Sequence, residues 1–159
     1  MTPAEIEAAV EVLLTVTGEE TYSDGHKDSS RTRSRAVYER TVCGKTFGGT
    51  IHTFRYRETD PESGAVTESV MKFSENGCMI ERSGEIRTTM RFEPDKESQC
   101  MYGTPFGEIP MAIFTRLVAM RQVGNNFHAR LRYRLTPAGA DPIECAVTVK
   151  AEPAKKAGE

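Results

Sequence analysis

The spacing of turn signals constrains this chain most. From Gly77 to Thr115, two alternating runs, 79–83 and 86–92, stand either side of Gly84. A polar turn at 93–96 follows, then a short run to Tyr102. Gly103-Thr104-Pro105-Phe106-Gly107 turns the chain again, and a long apolar run leaves it. Alternation of apolar and polar residues between Gly, Pro, Asn and Asp clusters reads as half-buried strands joined by hairpins. The stretch predicts an antiparallel meander.

The flanking sequence repeats the pattern. Residues 10–17, 31–40 and 50–58 alternate, with His52, Phe54 and Tyr56 on one face of the third run. Asp60-Pro61-Glu62-Ser63-Gly64 is a turn in which Pro sets φ and Gly supplies positive φ. Residues 66–74 return as the partner strand, and Asn76-Gly77 closes a tight hairpin. Residues 109–123 are apolar on both faces for part of their length, as a buried helix would also be. Thr115, Val118, Val123 and the flanking turns favour a long, bent strand. Residues 127–135 alternate most cleanly, with Phe127, Ala129, Leu131, Tyr133 and Leu135 against His128, Arg130, Arg132 and Arg134. Residues 144–150 make the last strand. The remaining segments read as irregular. Residues 18–30 are a polar loop, 42–49 a loop or a bulged edge, residues 2–9 form one helical turn with Thr2 as N-cap and Pro3 at the first helical position, and 153–159 form a disordered tail. Residues 1–152 read as one domain.

Short strands, hairpin turns and no βαβ spacing predict an all-β, up-and-down antiparallel barrel of about 8–10 strands, with at most a short N-terminal helix. A barrel of about eight strands fills its interior with side chains or holds one small ligand.

Arg82-Ser83-Gly84, Arg91-Phe92, Tyr102, Phe106-Gly107 and Thr115 stand in an order and spacing that resembles the YwiB-like family, a group of small bacterial lipocalin-type (calycin) β-barrels with no assigned activity. The likeness is good over residues 66–149 and weaker over 10–54. It implies the fold, and it carries over no catalytic residue.

Composition excludes several classes of function. The formal net charge is -2 and the pI is about 6.0, so the chain has no overall basic footprint for nucleic acid. No apolar run approaches the ~20 residues of a membrane span, and residues 1–9 lack the basic start of a secretory signal. Cys43, Cys78, Cys100 and Cys145 are widely separated, without zinc spacing. Four free thiols in a reducing cytoplasm follow.

Each candidate site has a structural reading beside it. His52 faces inward with aromatics; the residues read as a hydrogen-bonded core histidine rather than half of a Cys–His pair. Glu58, Asp60 and Glu62 read as a solvated turn tip. Arginine outnumbers lysine two to one, and Arg31/Arg33/Arg35, Arg55/Arg57 and Arg130/Arg132/Arg134 each stripe a strand face. On neighbouring strands they would make a basic patch able to grip phosphate; the alternative is pairing with cross-strand carboxylates. Aromatics lie on the opposite faces, which argues against nucleic-acid stacking. The 102–107 segment reads as a rigid connection with Phe106 plugging the core, rather than a loop over a pocket.

The leading functional expectation is a non-catalytic cytoplasmic barrel holding a small amphiphilic or anionic ligand. Its site residues are Phe54, Tyr56, Tyr102 and Tyr133, with Arg82 and Arg91 as polar anchors and no cofactor or metal. A solid-packed interaction module with an arginine-rich wall stands second, and an enzyme third. Arg82 is also expected to be the more structural of the two arginines, so that truncating it destabilises the fold.

Overall fold

The computed structural model describes residues 5–6, 9–42 and 49–154. Each strand begins where alternation begins and ends at a turn signal. The strands are β1 (Glu5–Ile6), β2 (Val10–Thr21), β3 (Lys27–Val42), β4 (Thr50–Thr59), β5 (Val66–Ser74), β6 (Gly77–Gly84), β7 (Thr88–Phe92), β8 (Glu97–Thr104), β9 (Gly107–Val123), β10 (Asn126–Pro137) and β11 (Ile143–Pro153). Every pairing is antiparallel, and each strand from β2 to β7 and from β8 to β11 pairs with the next in sequence. β11 then pairs with β2, so ten strands form one up-and-down sheet curled into a nearly closed barrel. Among the described residues no helix is long and apolar enough to cross a membrane.

The seam lies between β7 and β8. Arg87 and Gly103 exchange two backbone hydrogen bonds, N–H to C=O at 3.0 and 2.7 Å, and the Ser98 hydroxyl donates to the Arg91 carbonyl at 2.8 Å. The 93–96 turn is held from the far side by β9, where Asp95 N–H donates to the Thr115 carbonyl and Thr115 N–H to that of Lys96.

Gly84, part of the family pattern, sits at φ +129°, and a Cβ there would stand 2.4 Å from the Val66 carbonyl oxygen. Only glycine lets the end of β6 approach β5 so closely. The hairpin that follows places Arg82 opposite Thr88 and Met79 opposite Arg91. Arg82 and Arg91 are thus an odd number of residues apart on the paired ladder and face opposite sides of the wall.

Several boundaries differ from the sequence reading. Residues 5–6 pair with β3 as a strand instead of joining a helical turn; the rest of that expected turn, apart from Ala9, lies outside the described residues, as do 43–48 of the expected loop. β2 and β3 continue to Thr21 and back from Lys27, so the 18–30 loop shrinks to a tight connection. Residues 27–31 are exposed, so no alternation marked them. Pro153 closes β11 and Ala154 N–H donates to the Glu11 carbonyl, so these two are not part of a disordered tail; the rest of that expected tail lies outside the described residues.

β9 explains its own ambiguous pattern. Thr115 pairs with Tyr133 but Leu117 with Arg132, leaving Arg116 as an extra residue in a bulge. The bulge switches the inward parity: Ile113 and Thr115 are buried before it, while Val118 and Met120 pack on the core after it. Arg116 Nε and Nη2 both donate to the Glu144 carboxylate, at 3.1 and 2.8 Å, and Arg134 Nε joins them at 3.1 Å.

Candidate functional site

The inward side chains of β4 run the length of the barrel in the order His52, Phe54, Tyr56, Glu58. At the first end the interior is solid. Phe54 packs against Tyr38 and Phe127 with ring centroids 5.0 Å apart, Phe73 lies 5.4 Å from Phe127, and Phe54 and Phe73 are fully buried. His52 stacks on Tyr38 and shares a 2.6 Å hydrogen bond between its Nδ1 and the Tyr38 hydroxyl. Burial and then the Arg40 charge hold its imidazole below the usual value. It is a hydrogen-bonded core histidine.

At the second end the facing side chains are small. Gly18, Ser30 and Thr32 on β2 and β3 leave a cavity of about 290 Å3. Its apolar floor is Val16, Met71, Ile80, Met90 and Val147; its polar groups are Tyr56, Tyr133, Arg82 and Glu58. Glu19, Glu20 and Asp28 stand on the lining contributed by the β2–β3 hairpin, each engaged by a neighbour: Lys27 Nζ 3.5 Å from Glu19, the Tyr22 hydroxyl donating to Glu20 at 2.6 Å, and His26 Nε2 3.0 Å from Asp28.

Arg82 enters from β6 and lies 3.9 Å from Glu58 Oε1, which accepts a 3.0 Å hydrogen bond from the Ser69 hydroxyl. At that separation Arg82 Nε makes no hydrogen bond, and the atom is buried with no partner. Burial pushes the Tyr56 phenol up to about 12, Glu58 adding to the shift and Arg82 opposing it. Burial likewise raises Tyr133, while Arg82 again opposes. The guanidinium is therefore electrostatically felt by both tyrosines. Cys145 also lines the cavity; burial, reinforced by Glu20, pushes its thiol up to about 12, which keeps it protonated and a poor nucleophile.

Of the six residues singled out from sequence, the structure brings together Tyr56, Tyr133 and Arg82. Phe54 is one layer deeper, in the solid end, because β3 sets the bulky Tyr38 against it. Arg91 is exposed and lines a separate cleft of about 190 Å3 beside Lys72, Met79 and Phe92, since its ladder partner Met79 is out of phase with Arg82. Tyr102 is half-buried on β8 near the seam and does not line the barrel cavity. Phe106 does not plug the core: it is 100% exposed at the tip of the β8–β9 hairpin, where Thr104 Oγ1 accepts its N–H. Glu58 is not a solvated turn residue, and Gly18 was overlooked; the signal for Glu58 was its even spacing from His52, Phe54 and Tyr56. Cys78, Cys100 and Cys145 are free, and Cys43 lies outside the described residues. Among the described residues no group of three His, Cys, Asp or Glu side chains gathers to hold a metal.

The described residues thus form a ten-stranded, nearly closed up-and-down barrel with a cavity at one end. The chain belongs to the family described as Domain of unknown function (DUF1934), which matches residues 25–149. Its fold is similar to that in the crystal structure of ywiB protein from Bacillus subtilis, with a TM-score of 0.78 and 18% sequence identity over 94% of this chain and 96% of that one. No curated protein matches the chain.

Proposed function

We propose that the protein is a non-catalytic carrier or sensor of a small amphiphile, bound at the open end of the barrel with its apolar part on Met71, Ile80 and Met90. The observation that carries this reading is the buried Arg82 Nε, a charged donor on the cavity wall with no hydrogen-bond acceptor. A buried donor left unmatched costs about 1–3 kcal/mol, and more when charged. A ligand with an acceptor head, such as a carboxylate, pairs with the accessible part of the same guanidinium and compensates its charge, with the Tyr56 and Tyr133 phenols within the same cavity. The rim carboxylates are engaged by Lys27, Tyr22 and His26, which leaves Arg82 as the anchor. A cavity of about 290 Å3 favours this over the packed-interior module. The free thiols of Cys78, Cys100 and Cys145 support a reducing, cytoplasmic setting.

The experiment is native mass spectrometry of protein purified from its own host, followed by calorimetric titration with octanoate. The expected result is a bound mass or a saturable heat, weakened about tenfold or more by Arg82→Met, since a hydrogen bond to a charged group is worth about 1.5–3 kcal/mol. Arg91→Met should leave binding unchanged. An apo mass together with no heat, or equal loss in both variants, sinks the proposal.

A further inference from the structure

The outer wall carries a second feature, independent of the cavity. β3, β2, β11, β10 and β9 lie side by side, and their register lines outward residues into rows across the sheet. One row reads Arg33, Thr15, Lys150, His128, Arg121; the next reads Arg31, Thr17, Thr148, Arg130, Ala119. Neither row contains a carboxylate. Arg31, Arg33, Arg121, Arg130 and Lys150 are exposed, and among the described residues none of them forms an ion pair. Elsewhere on the wall Arg35 pairs with Glu11, Arg57 with Glu68 and Arg134 with Glu144, while Arg55, Arg91 and Arg132 form no ion pair among the described residues but share their rows with Glu11, Glu39 and Glu19. A cleft of about 240 Å3 runs over Thr15, Arg31, Arg33, His128 and Lys150, with Glu152 the one carboxylate on its lining. In a chain of net charge -2, this is segregation of charge rather than an overall basic character.

We infer that this wall binds the sugar–phosphate backbone of a nucleic acid without reading its sequence. The five strands span about 19 Å at their usual spacing of about 4.8 Å, and successive outward residues on one strand stand about 6.7 Å apart, a lattice of cations broad enough for several phosphates. Four of the five exposed cations are arginines, whose planar forks take phosphate oxygens two at a time. The interleaved Thr15, Thr17 and Thr148 hydroxyls suit phosphate and sugar contacts, which position a strand but do not specify bases. Neither row holds a Phe, Tyr or Trp to stack on a base, so the contact is to the backbone. Nor does either offer a large apolar side chain to insert into a lipid surface. The sequence set pairing with cross-strand carboxylates against a basic patch; in these two rows the register supplies no carboxylate to pair with Arg31, Arg33 or Arg130.

The test is fluorescence anisotropy of a labelled oligothymidine of about thirty nucleotides, titrated with the full chain between about 50 and 200 mM salt. Contact with about four phosphates gives a log–log salt slope near -3. Arg31→Glu/Arg33→Glu/Arg130→Glu should weaken binding about tenfold or more at low salt, and Arg55→Glu/Arg57→Glu, on another part of the wall, about twofold at most. Should the triple variant fail to fold by circular dichroism, Arg33→Glu and Arg130→Glu singly carry the same expectation in smaller steps. No binding by the parent chain at low salt, a flat salt dependence, or equal losses in both sets overturns the inference. So does sedimentation of the protein with anionic phospholipid vesicles while the oligonucleotide stays free, which would assign the wall to lipid headgroups.

Discussion

The two ends of the barrel interior are built from the same strands and differ in what faces each inward residue. On β4, Phe54 meets Tyr38, Phe73 and Phe127 and is fully buried. Two residues on, Tyr56 meets Ala36 across the ladder, with Gly18, Ser30 and Thr32 on the same cavity wall, and space opens beside it. Alternation brings both aromatics inside; the volume of their neighbours decides whether the layer closes. A pocket in a barrel of this size is thus made by small residues on adjacent strands rather than by any special side chain at its centre.

That contrast sets the expected size of mutational effects. Phe54→Ala, at the solid end, should cost about 3–5 kcal/mol in urea denaturation, because a fully enclosed ring leaves a cavity its neighbours cannot fill. A loss under about 1 kcal/mol would mean that the solid end is not solid. Gly18→Val addresses the other end. Its Cβ would lie 3.2 Å from the Ser30 hydroxyl, which can rotate away, so stability should change by less than about 1 kcal/mol. The added side chain enters the cavity lining, and octanoate binding should be lost; retention of both stability and binding would break the comparison.

Arg82→Met should fall within about 1 kcal/mol of the parent, on the stabilised side if anything. The sequence favoured a buried structural ion pair here, but the two side chains are 30% and 36% exposed and 3.9 Å apart, a geometry that solvent screens. Urea midpoints of the variant decide it, and a loss of several kcal/mol would restore the structural role.

The smallest effect is a pH dependence at the solid end. The folded His52 pKa is depressed below its ordinary 6.5, so the unfolded chain binds more protons as pH falls through that value. The stability associated with neutral His52 is present above 6.5 and is lost on acidification towards the folded pKa. Denaturation at pH 7 and pH 5 should show a drop that shrinks in His52→Gln; an unchanged drop removes His52 as its cause.

How much of this was legible in the sequence follows from the same physics. Residues 50–58 and 127–135 declared themselves because each has one wet and one dry face. The far arms of β2 and β3 did not, since both faces of residues 27–31 meet water. β9 was ambiguous because the Arg116 bulge exchanges its faces midway. Tyr56, Tyr133 and Arg82 were recognisable as inward or motif residues. Their assembly with Glu58 and Gly18 was not, because it depends on cross-strand register, which one strand's pattern does not contain. Arg82 and Arg91 looked equivalent for the same reason.

The placement of the seam has a topological consequence. The strands farthest apart in sequence, β2 and β11, are zipped along ten residue pairs, while the consecutive β7 and β8 share a single bridge. The barrel is therefore a ring whose weakest joint lies mid-chain, and the start of β2 and the end of β11 lie side by side, as the bond from Ala154 to Glu11 records. Linking the end of β11 directly to the start of β2 and reopening the polypeptide at the 93–96 turn would turn the same ten strands into one uninterrupted meander that starts and finishes at the joint. In such a permuted chain every full ladder would connect sequence neighbours, so the slow search for the β2–β11 pairing would vanish and folding would quicken without a change in the final structure.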